Sequence, residues 1–235
     1  MSKAIGIPAF LQSNRLYGES MANPKQLPKI YPILDASFIP AAGRAEFLRR
    51  LGGSLAEAGV TMLEYRNKTG GEAELLADAE ILRAAMPAGQ VKLILDDRAD
   101  LVERLGFDGA HVDTGDATPT EARLLLGPDR IVGTFGGGDA LVSRVLSEPA
   151  DYFSIGAVFP TRTKQVTKPA IGIEGVRRLR EEAGPTPALV AIGGITLATA
   201  SAALDAGATV VAAAGGIFRQ PDPAAEFGRW LAELG

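Results

Sequence analysis

From Lys29 onward the 235-residue chain repeats one beat eight times: a short apolar run rich in β-branched residues, then a longer amphipathic stretch. The runs fall at 30–34, 60–65, 91–95, 109–112, 131–135, 152–155, 189–192 and 210–213. Helices are expected at about 42–57, 72–86, 98–105, 118–126, 138–147, 174–183, 197–206 and 222–233. The fourth opens with Thr118-Pro119 and carries Glu121 at the capping-box position; the seventh opens at Thr196 and stops at Gly207. Continuously apolar strands joined through helices make a parallel sheet covered on its outer face. Eight such units in about 206 residues match a compact (β/α)8 TIM barrel, whose lower size limit is about 200. A doubly wound open sheet would place a phosphate loop after its first strand, and Asp35-Ala-Ser-Phe38 is not one. The expectation is one α/β barrel over 29–235. Residues 1–28, with Pro8, Pro24 and Pro28 and no periodicity, are read as an extension outside it, and Met21 as an alternative start.

Composition narrows the chemistry. A hydrophobic share of 46% with 22% charged residues is that of a globular chain, not a disordered one. The net charge of −4 argues against nucleic acid or an anionic membrane as partner. No cysteine is present, which excludes disulfides, thiolate metal sites and a cysteine nucleophile, and fits a reducing cytoplasm. The single histidine, His111, would have to carry any Ser–His–Asp chemistry alone. No apolar run reaches the roughly 18 residues of a membrane span. A homo-oligomer is compatible with everything in the sequence.

Barrel active sites sit at the C-terminal ends of the strands. Those ends read Asp35; Glu64, Arg66 and Lys68; Asp96 and Asp97; Asp113 and Asp116; Thr161, Thr163 and Lys164; then Gly193-Gly194 and Gly215-Gly216. Two glycine pairs after strands 7 and 8 suit phosphate held by backbone N–H groups. Arg66 and Lys68 alternate out of strand 2 and can both face the mouth. With Lys164 they suggest a cationic site for a second, more highly charged anion, so small phosphorylated molecules are the expected ligands. Asp97 and Asp116, just past neighbouring strands, are positioned to share a cation, and magnesium takes one or two carboxylates together with substrate phosphates. The stretch 157–173 is read as a lid. His111, beside Asp113, is assigned a structural, hydrogen-bonded role.

With these residues laid out, the chain from about Lys29 onward resembles the thiamine phosphate synthase family. The resemblance is carried by Glu64-Tyr-Arg-Asn-Lys68, Asp96-Asp-Arg-Ala-Asp-Leu101, Asp108-Gly-Ala-His-Val-Asp-Thr-Gly-Asp116, Gly156-Ala-Val-Phe-Pro-Thr-Arg-Thr-Lys164 and Ala191-Ile-Gly-Gly-Ile-Thr196; the Thr-x-Thr-Lys run is the most specific. It implies a transferase that joins hydroxymethylpyrimidine diphosphate to a thiazole phosphate and releases pyrophosphate, by a dissociative path that needs no histidine base. It further implies Arg66, Lys68 and Lys164 on the diphosphate, and Asp97 and Asp116 on Mg2+. Thr161, Thr163, Gly194, Ala214 and Gly215 would hold the thiazole phosphate, with Glu64, Asp96 and Phe135 facing the substrates.

Several positions depart from the family pattern. Glu64 stands for a glutamine, Asp96 for an asparagine, Asp113 for a small residue, Phe135 for a serine, Gly137 for a nearby histidine, Thr199 for an asparagine and Gly215 for a serine. At about 5 Å and an effective dielectric near 20, each added carboxylate opposes one substrate charge by roughly 3 kcal/mol. This leaves a non-catalytic phosphate-binding or regulatory barrel as the alternative. A thiazole tautomerase ranks lower because its histidine position is Gly137. An aldolase-type barrel ranks last, since strand 6 lacks a Schiff-base lysine.

Overall fold

A computed structural model describes residues 26–113, 115, 117–161, 163 and 168–235. Eight parallel strands close into a barrel in sequence order: β1 (Ile30–Asp35), β2 (Met62–Arg66), β3 (Lys92–Asp96), β4 (Gly109–Val112), β5 (Ile131–Gly137), β6 (Tyr152–Gly156), β7 (Leu189–Ile192) and β8 (Val210–Ala213), which pairs back onto β1. The helices are α1 (Arg44–Glu57), α2 (Glu72–Ala85), α3 (Pro119–Leu126), α4 (Gly172–Ala183), α5 (Leu197–Asp205), α6 (Gly215–Phe218) and α7 (Pro223–Leu234). No helix among the described residues is long and apolar enough to cross a membrane.

Period-two alternation sorts each strand into two buried layers. Outward residues such as Leu34, Leu63, Leu93, Leu95, Val132 and Val211 join the helices in the larger core. Inward residues Tyr31, Ile33, Met62, Ile94, Ile131, Tyr152, Val190 and Val210 fill the barrel axis. Leu27, the last apolar residue of the expected extension, packs on this inner cluster. Residues 1–25 of that extension lie outside the described residues.

Two expected helices do not form. At 98–105 there is one 3-10 turn, Ala99–Leu101, and at 138–147 another, Val145–Ser147. Both windows are short, and an isolated helix of so few residues has little to offset its nucleation cost. In the second window Gly137, at φ 153°, bridges to Leu141, and Arg144 adopts φ 63°, so the backbone turns back before a helix can start. The expected caps are present. Glu121 N–H donates to Thr118 Oγ1 and Thr118 N–H to Glu121 Oε2 at the start of α3, while Gly207, at φ 105°, follows α5.

One glycine decides the barrel interior. His111, Gly133 and Tyr152 lie side by side in register on β4, β5 and β6. A Cβ on Gly133 would stand 2.0 Å from Tyr152 Cζ, so only glycine lets the tyrosine ring cross β5 toward His111. The two rings stack with centroids 5.6 Å apart. Gly133→Ala is expected to destabilise the fold by about 3 kcal/mol through overpacking, measured as a lowered urea midpoint with an unchanged m-value.

Candidate functional site

The strands' C-terminal ends open into one cavity of about 1360 Å³. Its floor is a buried polar chain. Tyr31 Oη donates to Glu64 Oε2 at 2.7 Å, lies 2.9 Å from Tyr152 Oη, and that hydroxyl lies 3.1 Å from His111 Nδ1. If each hydroxyl gives one proton, the donors run His111 to Tyr152 to Tyr31 to Glu64, which assigns the proton to His111 Nδ1. His111 is thus hydrogen-bonded into the floor, in line with the sequence reading. Burial first, and Glu64 second, push the Tyr31 and Tyr152 hydroxyls well above the ordinary phenol range, so both stay protonated.

Glu64 is 3% exposed and lines the cavity. Burial, then the nearby Asp96 carboxylate, push its carboxyl up to about 8, with the Tyr31 hydrogen bond opposing. At pH 7 it is mostly neutral and resembles an amide in charge. Asp96, also buried, is raised to about 6 by burial and by Asp97, against the pull of Lys68 and Arg66.

Above the floor, two cations and three carboxylates interlock. Arg66 is ion-paired with Asp35, and its Nε stands 3.4 Å from Asp96 Oδ2. Lys68 Nζ stands 3.2 Å from the same oxygen and pairs with Asp97. Asp97 and Asp96 outweigh the burial that would lower the Lys68 ammonium, and hold it above its ordinary value. Asp96 Oδ2 has these ionic neighbours but no hydrogen bond, and Asp97 Oδ1 is buried without a partner among the described residues. Asp97 turns at φ 67°, a left-handed conformation that aspartate tolerates. Two of the added carboxylates are therefore not bare charges, because Glu64 is largely neutral and Asp96 is paired. Asp113 and Phe135 line the same cavity. Lys164 and Asp116 lie outside the described residues.

The loop that carries Lys68 is pinned from outside the barrel. Asn67 Oδ1 accepts from Gly70 N–H at 2.7 Å, and its Nδ2 donates to Glu74 at 3.0 Å and to Tyr65 Oη at 3.2 Å. Tyr65 and Arg44 in turn hold the buried Asp78.

The opposite wall is built from the β6, β7 and β8 loops. Thr161, Thr163, Gly194, Ala214 and Gly215 all line it, as sequence reading placed them. Gly193 and Gly194 have φ of 93° and 66°. A Cβ on Gly194 would lie 2.6 Å from Pro160 O, and one on Gly216 2.4 Å from Ile195 O. These glycines are required by close packing of neighbouring loops. The expected lid is tied at both ends: Val158 and Phe159 N–H donate to Ile192 and Gly193 O, and Ile171 and Gly172 N–H to Ala157 and Val158 O. Sequence reading assigned no role to Tyr31, Tyr152, Asp35, Arg178 or Arg219, though Asp35, Arg178 and Arg219 line the cavity. The inward phase of β1 and β6 could have signalled the tyrosines.

Glu64 makes a test of the floor. Its folded value, about 8, lies above its ordinary 4.5. Between those values the unfolded chain releases a proton that the folded chain keeps, so stability is complete below pH 4.5 and falls as pH rises toward 8. Glu64→Gln is expected to flatten that fall, measured as melting temperature at pH 5, 6.5 and 8.

Comparison with known proteins agrees with this geometry. Residues 30–217 match the family model described as thiamine monophosphate synthase. A thiamine-phosphate synthase from Koribacter versatilis is 38% identical over 192 residues, covering 82% of this chain and 90% of that one. One from Agrobacterium fabrum is 36% identical, covering 81% and 86%. Among solved structures, the thiamine phosphate pyrophosphorylase of Pyrococcus furiosus superposes with a TM-score of 0.67 at 26% identity, over 88% of this chain and 97% of that one. A 3-hexulose-6-phosphate synthase, 19% identical with a TM-score of 0.62 and covering 88% of this chain and 100% of that one, shares the fold alone. A barrel whose mouth gathers these residues, matched over most of its length, belongs to the thiamine monophosphate synthase family of enzymes.

Proposed function

We propose that the protein joins hydroxymethylpyrimidine diphosphate to thiazole phosphate, giving thiamine phosphate and pyrophosphate, in the cytoplasm. The observation that carries this reading is one cavity with two chemically distinct ends: Arg66, Lys68 and an Asp97 oxygen without a partner among the described residues on one side, and the glycine loops with Thr161 and Thr163 on the other.

In this reading the bond between the pyrimidine methylene and the diphosphate oxygen breaks first, and the diphosphate leaves with the electron pair. The thiazole nitrogen then closes on the methylene carbon. Arg66 and Lys68, with Lys164, stabilise the departing anion, which is where such a reaction needs help. The diphosphate exchanges with Asp35, Asp96 and Asp97 for these cations, so the cations are held in place before substrate arrives. Asp97 Oδ1 is a hard, buried oxygen with no partner among the described residues, which fits a magnesium ligand, and Asp116 would complete the pair. When bound, magnesium supplies further neutralisation of the diphosphate. Thr161, Thr163, Gly194, Ala214 and Gly215 orient the thiazole phosphate. Glu64 and Phe135 face the pyrimidine from the floor and wall.

Incubation with both substrates and magnesium should release pyrophosphate and thiamine phosphate in equal amounts, and chelation by EDTA should stop it. Arg66→Lys should lower kcat/KM by about 100-fold, because the fork geometry is lost. Binding of both substrates without product at any magnesium concentration would favour the non-catalytic barrel. Because Glu64 is neutral below about pH 8, Glu64→Gln should match wild type at pH 6.5. Above pH 8 the wild-type KM for the diphosphate should rise as Glu64 becomes charged, while that of Glu64→Gln stays level.

A further inference from the structure

The family resemblance leaves three cavity-lining cations among the described residues without a role, Lys168, Arg178 and Arg219; the first two are bonded to Asp139, and Arg219 is not. Arg219 follows α6 and lines the cavity wall formed by the β8 loop. Its guanidinium carbon lies 5.0 Å from the centroid of the Phe38 ring. That ring, in the turn after β1 whose Ser37 N–H donates to Asp35, is itself stacked on Phe218 at 6.1 Å. A cation over an aromatic face is attracted by the ring quadrupole, and the planar fork keeps its edge donors for another partner. The guanidinium makes no hydrogen bond or ion pair among the described residues, which sets it apart from Arg66 and Lys68.

Gly215 lies against the stem of that arginine. A Cβ built on Gly215 would stand 2.9 Å from Arg219 Nε, 3.2 Å from its Cδ and 3.5 Å from Thr163 Oγ1. The arginine Nε and Cδ and the threonine hydroxyl all approach the face of residue 215, and a side chain there would displace the arginine. An anion bound beside the Gly215 backbone has a charged guanidinium and a hydroxyl donor close by. Charge-assisted contacts of this kind are roughly twice as strong as neutral ones.

Resting on the substrate reading above, we propose that Arg219 is a specificity-determining residue that binds the phosphate of the thiazole substrate, admitted to the site by the absence of a side chain at Gly215. The guanidinium reads the phosphate and not the ring, so it should discriminate the phosphate ester from the free thiazole alcohol.

The test is calorimetric binding of thiazole phosphate and of its dephosphorylated alcohol to the full chain, alongside turnover. Wild type should bind the phosphate ester far more tightly than the alcohol. Arg219→Ala, a change at an exposed position, should weaken ester binding about tenfold or more and leave alcohol binding unchanged. Arg219→Lys should restore part of it. Gly215→Ala, which crowds Nε, should weaken ester binding with Arg219 present and have little further effect in the Arg219→Ala background. Ester affinity within twofold of wild type in Arg219→Ala would overturn the proposal. So would equal loss for ester and alcohol, because that marks a packing role through Phe38. If wild type makes no thiamine phosphate yet shows the Arg219-dependent preference, the synthase reading falls and the phosphate contact stands. If it turns over normally and Arg219→Ala binds alike, the reverse holds.

Discussion

A closed parallel barrel turns every second residue of every strand toward one axis, and whatever polarity lies there must be satisfied within that narrow space. This constraint governs the molecule. Apolar inward residues such as Met62, Ile94 and Val210 fill the lower axis. The next inward positions up are Glu64, Asp96, His111 and Tyr152, all buried. Burying a carboxylate without compensation is costly enough that it either takes a partner or takes a proton. Both solutions appear on adjacent strands. Asp96 is placed between Arg66 and Lys68, whereas Glu64 accepts from Tyr31 and is held largely neutral at pH 7.

The same accounting changes how the acidic departures from the family pattern weigh on function. Seen as formal charges, Glu64 and Asp96 would each repel an anionic substrate by roughly 3 kcal/mol at 5 Å. In the folded chain one is near-neutral and the other belongs to an ion-paired cluster. In the proposed reaction, substrate diphosphate competes with carboxylates for Arg66 and Lys68. The ion pairs to Asp35, Asp96 and Asp97 hold both long cationic side chains in place, and the Asn67 and Asp78 contacts beneath the Lys68 loop serve the same end. A second ring of order links the two ends of the cavity. Asp35 pairs with Arg66 and also caps the turn that carries Phe38, against which Arg219 rests.

Much of this architecture was legible in the chain. The eightfold alternation gave a parallel sheet buried on both faces, and the absence of a phosphate loop after the first run pointed to a closed barrel over a doubly wound open sheet. Strand phase placed Arg66, Asp96, Thr161 and the glycine pairs at one rim, and the motifs around them pointed to the family. What the chain could not reveal by itself were the relations across strands. The 98–105 and 138–147 windows have helical patterns, yet their length and the glycines at 136–138 leave only single 3-10 turns. Gly133 reads as an ordinary strand glycine until Tyr152 is seen crossing it, and Gly194 and Gly216 owe their identity to neighbouring loop backbones. The protonation of Glu64, the pairing of Asp96 and the placement of Arg219 depend on groups 28 to 181 residues away in sequence. Periodicity is a local property and survives in the sequence. Desolvation and charge pairing are set by distances in space, and those exist only once the barrel has closed.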